Sequence, residues 1–447
     1  MNRDARIAEA VEVHRLGKLS DAEAAYRDIL EESPESPGVL HNLAVIAAGS
    51  GRRPEAVGLF DRAIALEPGY VSAHFNRANA LREEGREADA LDAYRRTAAL
   101  KPDHYDAHRA LGFLWLAQGR RNRALDHFAR TLELRRGEDR SGRGGVSLTH
   151  GTRGKLLHDA GQLRHAASRA PGRNRPGLEM RARVYTQIAA EIDPSLGDHE
   201  AVALSEDQLD RLGDDYNSPT YMFDAPELSG PTINPGLDIP AITQAFAESP
   251  GAAWFDDLLT PEALAALRKY LLTSAIWFDF VHIPGFLASY LEDGLACPLM
   301  LQITDELRAA LPEILGDHAL SQAWAFKGIA GDRPIDPHAD DGVVSINFWM
   351  TEDDSNLDPG RGGLLVCKTP PPADWRMRDY NSDSDRIHRF VSDHAEDQMV
   401  VPYRANRAVL FDSRLFHGSN APHFRPEYEH HRINITLLFG DRSPANL

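Results

Sequence analysis

HADDGVVSINFWM (338–350) and RINITLLF (432–439) are the two stretches on which the reading of this 447-residue chain turns. In the first, His338 and Asp340 stand two apart, so on a strand they project from the same face. The polar loop GDRPIDP (331–337) precedes them and apolar GVVSINFWM follows, which places them at the mouth of a barrel rather than inside it. His417 comes a few residues after a second apolar strand, RAVLFD (407–412). In RINITLLF, Arg432, Asn434 and Thr436 alternate with Ile433, Ile435 and Leu437, giving one polar face to a strand that should otherwise be core. Such a face fits an interior pocket for a small dicarboxylate, because Arg carries the planar fork that a carboxylate accepts.

Two neutral imidazoles and one carboxylate suit Fe(II) and leave half of an octahedron free for other ligands. The residues alone leave competitors: His423, His430 and His431 for His417, Asp341 for Asp340, and Arg425 for Arg432. Order favours the first set, since the chain runs loop, His-x-Asp, strand, strand, His, then a strand beginning with Arg. Asn347 and Thr436 are expected in the pocket with Arg432, and Lys327, Trp349 and Arg407 are further candidates for its wall.

Outward from these stretches, residues 251–447 read as one domain. WFDDLLTPEALAALRKYLL has Thr260 as an N-cap and Pro261 in the first helical turn, and a second helix is expected around Leu299–Leu315. Strands are then expected over 322–329, 342–351, 363–368, 398–402, 407–412 and 431–439. Two helices followed by six or more short strands predict a β-sandwich or jelly roll with helices on one side. Residues 370–397 read as an insertion carrying a helix, a lid or substrate-recognition loop.

Residues 1–136 repeat every 34 residues. Gly17, Gly51, Gly85 and Gly119 stand in register, as do Ala22, Ala56, Ala90 and Ala124, and then Tyr26, Phe60, Tyr94 and Phe128. Pro34, Pro68 and Pro102 close three units, and Arg136 takes that place in the fourth. The Gly ends a helix by accepting left-handed dihedrals, the Ala lets two helices approach, and the aromatic fills the groove. This resembles the tetratricopeptide repeat over four consecutive units. The resemblance implies an α-helical superhelix whose concave face binds a protein or peptide; His41, Asn42, His74, Asn76, Arg77, His108 and Arg109 are candidates for that face. Residues 137–195 read as a basic linker and capping helices, with Leu156, Leu157, Ala160, Leu163 and Ala167 on one helical side. Residues 196–250 read as an extended connector.

The segment 338–439 resembles the double-stranded β-helix of the 2-oxoglutarate-dependent oxygenases, and the whole text resembles a bacterial subfamily in which tetratricopeptide repeats precede that domain. NFWMTEDDSNLDPGRGGLLV (347–366), PYRANRAVLFDSRLFHGS (402–419) and RINITLLFGDR (432–442) carry this second likeness. The resemblance implies that His338, Asp340 and His417 bind Fe(II), that Arg432 holds the distal carboxylate of 2-oxoglutarate, and that O2 is the other co-substrate. It implies a dioxygenase that hydroxylates a residue of a protein or peptide recruited by the array. The alternatives are a small-molecule biosynthetic hydroxylase whose repeats serve assembly, and a non-catalytic scaffold or sensor.

The formal charge of −18 argues against a nucleic-acid binder, since phosphate contacts need net Lys/Arg. A local exception runs from Arg135 to Arg183, with twelve Lys/Arg against four Asp/Glu. Two cysteines, Cys297 and Cys367, exclude a disulfide scaffold and fit a reducing cytoplasm. No signal-peptide core and no membrane-length apolar run are present, so no membrane partner is expected. A homodimer is a possible use of the array.

Overall fold

The computed structural model describes residues 3–137, 146–169, 175–248, 251–329, 333–375 and 383–441. The chain divides into two compact units, 1–115 and 116–447.

The first unit is a stack of helices: Arg3–Arg15, Leu19–Glu32, Pro37–Gly49, Arg53–Leu66, Val71–Glu83 and Glu87–Leu100, each packed on its sequence neighbour from the first to the sixth. The repeat arithmetic explains the packing. Gly17, Gly51 and Gly85 all take positive φ, 73–77°, where only Gly is unstrained. Ala22, Ala56 and Ala90 are wholly buried, as are Tyr26, Phe60 and Tyr94. No residue with a larger side chain than Ala fits the crossing without parting the helices.

The fourth repeat behaves differently. Its second helix, Arg121–Arg136, belongs to the second unit and packs against the turn Leu291–Asp293 and the helix Pro298–Ala310. Arg136 is 1% exposed and forks onto Asp293, with Nε and Nη2 donating at 2.9 and 2.6 Å. The guanidinium also lies 4.8 Å from the centre of the Phe278 ring.

Residues 137–195, expected as a linker with capping helices, carry two long helices, Arg153–Arg169 and Arg175–Glu191, that bury Leu156, Ala160, Leu163, Leu178, Ala182 and Ile188. The first also packs on the helix Pro261–Thr273 and on the turn Tyr428–His430. Leu157, expected on the buried side, is exposed, because Lys155, His158, Asp159, Gln162 and His165 take up that interface instead. Residues 196–250 are more than an extended connector. They hold the helices Glu206–Leu212, opened by a Ser205/Gln208 capping box, and Ile239–Ala247. They also supply β2 (Val202–Ala203), which pairs with β1 (His150–Gly151).

Two antiparallel sheets follow. The larger has six strands in the order β3 (Ala252–Phe255), β10 (Ala408–Asp412), β7 (Val344–Trp349), β12 (Ile433–Phe439), β5 (Leu320–Gly328), β4 (Phe286–Tyr290). The smaller runs β6 (Ile335–His338), β11 (His417–Ser419), β8 (Leu364–Cys367), β9 (Gln398–Val401). The central strands β7 and β12 are buried at every position, so both of their faces are covered. Thr260 caps the helix Pro261–Thr273 by accepting from Ala263 N. In the expected insertion, residues 376–382 lie outside the described residues. Beyond them, Asp383 caps the helix Ser384–Asp393, which packs against β6 and buries Ile387 with Ala339, Cys367 and Phe416.

Candidate metal centre

β6 ends on His338 and β11 begins on His417, and the register places the two directly opposite each other. Their ring centroids are 4.4 Å apart. Asp340 leaves β6 at the next bend, where its backbone N–H donates to Ser413 O at 3.0 Å. The result is one group of three side chains whose ligand atoms all lie within 4.8 Å of one another. Nε2 of His338 is 3.8 Å from one oxygen of Asp340, and Nε2 of His417 is 3.4 Å from the other.

The tautomers follow from the partners. Nδ1 of His338 faces Asp336 O at 2.9 Å and Nδ1 of His417 faces Leu415 O at 3.1 Å. A carbonyl can only accept, so each Nδ1 carries the proton, and Nε2 is the atom by which either neutral ring would bind a metal. Burial pulls the His417 imidazole down to about 4, against a smaller upward pull from Asp340, so it is neutral at physiological pH. The donor set therefore fits a divalent transition metal: two imidazole nitrogens and one carboxylate on one side, with the exposed flank of His338 opening the other.

A small cavity, partly open to solvent, adjoins the two histidines. Asn347, Thr436, Asn434, Arg432, Trp349, Trp324, Phe326, Ile335 and Leu364 are among the residues that line it. The register of the larger sheet sets this wall: Phe326, Asn434 and Trp349 form one row, and Trp324, Thr436 and Asn347 the next. The Thr436 hydroxyl bonds Asn347 Oδ1. Arg432 is 3% exposed; Nε donates to Gly362 O at 2.7 Å and Nη1 to Asn434 Oδ1 at 2.9 Å. Among the described residues no carboxylate pairs with it. Burial pulls its guanidinium down to about 10, so it stays charged at neutral pH. An unpaired charge in such a place is costly, and a carboxylate is the kind of group that would offset the cost.

Several sequence candidates fall elsewhere. Lys327 points to the reverse face of β5, against the Tyr428 ring, because the inward parity belongs to Trp324 and Phe326. Arg407 is taken by Asp256, at 2.6 and 3.1 Å. Asp341 is exposed, His430 bonds Ser355, and His431 bonds Pro426 O on the far side. In the helical array, His41 is packed between Phe60 and Tyr70 and bonds Asn76, while Arg77 pairs with Asp61. His74 and His108 each bond the carbonyl of the proline six residues before, Pro68 and Pro102. These groups brace the repeats.

Sequence reasoning missed Ser345 and Ser413. Ser345 Oγ donates to Asp340 at 2.7 Å and lies 2.8 Å from Ser413 Oγ. The available signal was Ser345 itself, a hydroxyl on the same parity as Asn347 in an otherwise apolar strand.

The tetratricopeptide repeat model matches residues 41–103 and 75–139. The N-terminal helical region is thus an array of tetratricopeptide repeats, a class that generally mediates contacts between proteins. Among solved structures, MamA aligns at 22% identity over 30% of this chain and 78% of its own, with a TM-score of 0.29. MamA from Desulfovibrio magneticus RS-1 aligns at 17% over 31% and 78%, TM-score 0.29. An O-GlcNAc transferase from Thermobaculum terrenum aligns at 28% over 29% and 26%, TM-score 0.26. No curated protein matches the chain. No helix among the described residues is long and apolar enough to cross a membrane.

Proposed function

We propose that residues 251–447 form the double-stranded β-helix of an Fe(II)- and 2-oxoglutarate-dependent oxygenase, and that it hydroxylates a protein or peptide recruited by the repeats. The observation that carries this reading is one cavity lined both by His338 and His417, whose side chains converge with Asp340, and by Arg432, a buried arginine without a carboxylate partner among the described residues.

Each residue then has a task. His338, Asp340 and His417 would hold the iron, and Arg432 would grip the far carboxylate of 2-oxoglutarate. The Asn347–Thr436 pair and Asn434 supply polar contacts along the floor, and Trp324, Phe326 and Trp349 keep water from the reacting carbon. When bound, the iron with 2-oxoglutarate and O2 supplies an oxidative decarboxylation coupled to insertion of oxygen into a C–H bond. The helix Ser384–Asp393 stands beside β6 at the mouth, where the substrate would enter.

An anaerobic titration with Fe(II) and 2-oxoglutarate tests the reading through the visible metal-to-ligand charge-transfer band. A band is expected in the wild type, absent from His338→Ala and needing far more 2-oxoglutarate in Arg432→Ala. No band from folded wild type would sink the oxygenase reading and leave the repeat scaffold as the function.

A further inference from the structure

The two oxygens of Asp340 have different surroundings. Oδ2 accepts from Ser345 Oγ at 2.7 Å, whereas Oδ1 accepts no hydrogen bond among the described residues. Ser345 has one proton, and it is spent on the carboxylate. The 2.8 Å bond between the two hydroxyls must therefore run from Ser413 to Ser345. Both serines are fully buried. Ser413 is itself fixed by its backbone, donating N–H to Val343 O at 3.1 Å and accepting from Asp340 N at 3.0 Å. The circuit closes: Asp340 anchors Ser413, Ser413 orients Ser345, and Ser345 holds the Asp340 carboxylate.

We propose that Ser345 and Ser413 are positioning residues, a serial two-hydroxyl relay that engages Oδ2 and leaves Oδ1 as the oxygen of Asp340 free of hydrogen bonds among the described residues and open to a metal. The proposal rests on the metal reading given above. A carboxylate with both oxygens free can turn and chelate, taking a second coordination position. In a site with three protein ligands that would remove one of the places left for co-substrate and oxygen. A hydroxyl fixed on Oδ2 prevents the turn. Ser345 reaches this spot because it shares the inward parity of β7 with Asn347 and Trp349. Ser413 reaches it because the chain bends directly after β10.

The test is an anaerobic Co(II) titration of the full chain, read by the visible d–d spectrum, with melting of the metal-free protein as the fold control. Ser345→Ala is expected to weaken Co(II) binding by roughly 10–100-fold and to change the intensity of the band as the coordination number changes. Ser413→Ala is expected to have a smaller effect in the same direction. The double variant should bind no worse than Ser345→Ala, because a serial relay is non-additive. Ser289→Ala, which removes another buried hydroxyl in β4, should leave binding unchanged. Wild-type affinity and spectrum in Ser345→Ala, with only a lowered melting temperature, would overturn the relay. Additive losses in the double variant would overturn its serial order. A wild type that binds no Co(II) would remove the metal reading itself, which is a separate failure.

Discussion

A guanidinium at 3% exposure, with no carboxylate beside it among the described residues, makes Arg432 the residue whose replacement says most. Arg432→Lys keeps a charge and gives up the planar fork, so 2-oxoglutarate affinity for the Co(II)-loaded protein is expected to fall about tenfold or more. Isothermal titration would show it, with Co(II) affinity unchanged. Lys327, on the other side of the same sheet, supports a prediction about stability. Its amine is buried with no hydrogen-bond partner among the described residues and sits 3.5 Å from the centre of the Tyr428 ring. Burial drives it well below the usual lysine range, with Asp159 and Glu429 pulling weakly the other way. The folded state therefore holds this proton less tightly than the unfolded state does. The unfolded state binds more protons below the ordinary lysine value, so stability rises with pH as that value is approached, by up to about 1.4 kcal/mol per pH unit. Urea midpoints at pH 7 and pH 9 should move apart in the wild type, and that separation should shrink in Lys327→Met. The two lysine and arginine side chains also show what the sequence could tell. Arg432 was legible because Asn434 and Thr436 repeat its parity in an apolar strand. Lys327 was not, since both faces of AWAFKG carry apolar residues and nothing local marks which one is inward.

Among the elements, the short strand β11 leaves no room for a side chain at its centre. An atom added at Gly418 would lie 2.7 Å from Ile335 O, in the strand that ends on His338. Gly418→Ala therefore pushes β6 and β11 apart, and the His338–His417 pairing with them. A stability loss of about 1–3 kcal/mol is expected, and Co(II) binding should fall further than the melting temperature alone accounts for. The strands β5, β7, β8, β9, β10 and β12 were readable from apolar runs and turn residues, and they match the expected spans to within a few residues. β3, β4, β6 and β11 were not. They are strands because a neighbour supplies the hydrogen bonds, which no local pattern records. The helix Arg153–Arg169 shows the same limit from the other side. Its buried face is made of Lys155, His158, Asp159, Gln162 and His165 as much as of Leu and Ala, and apolar periodicity is blind to polar groups that find partners in distant parts of the chain.

For the whole molecule, the division at 115/116 tells where a truncation is tolerable. A chain beginning at residue 105 keeps the helix Arg121–Arg136 and is expected to bind Co(II) and 2-oxoglutarate as the full chain does. If the repeats recruit the substrate, the same truncation should abolish hydroxylation of a protein while leaving uncoupled turnover of 2-oxoglutarate. A metabolite enzyme would keep both, and assays of succinate and of product together separate the two. Removing residues 1–136 is a different operation, because Asp293 would lose its bidentate partner. Arg136→Ala should cost about 3–5 kcal/mol for the same reason, readable as a shift in the denaturant midpoint. The repeat itself was legible end to end from Gly17, Ala22 and Tyr26 and their successors. The use made of its last position was not: an arginine where the earlier units place proline gave no hint of a partner so far along the chain.

That arginine also sets a timetable. Asp293 lies 157 residues beyond Arg136, so a ribosome adding residues at about 5–20 per second delivers the acid roughly 8–30 s after the base. Throughout that interval the nascent array has a finished beginning and an unfinished end. The side of Arg121–Arg136 that will meet Leu291–Asp293 stays uncovered, and nothing encoded earlier in the message can cover it. Synthesis that stalls between these two codons leaves that side of the helix, and the buried arginine on it, facing water.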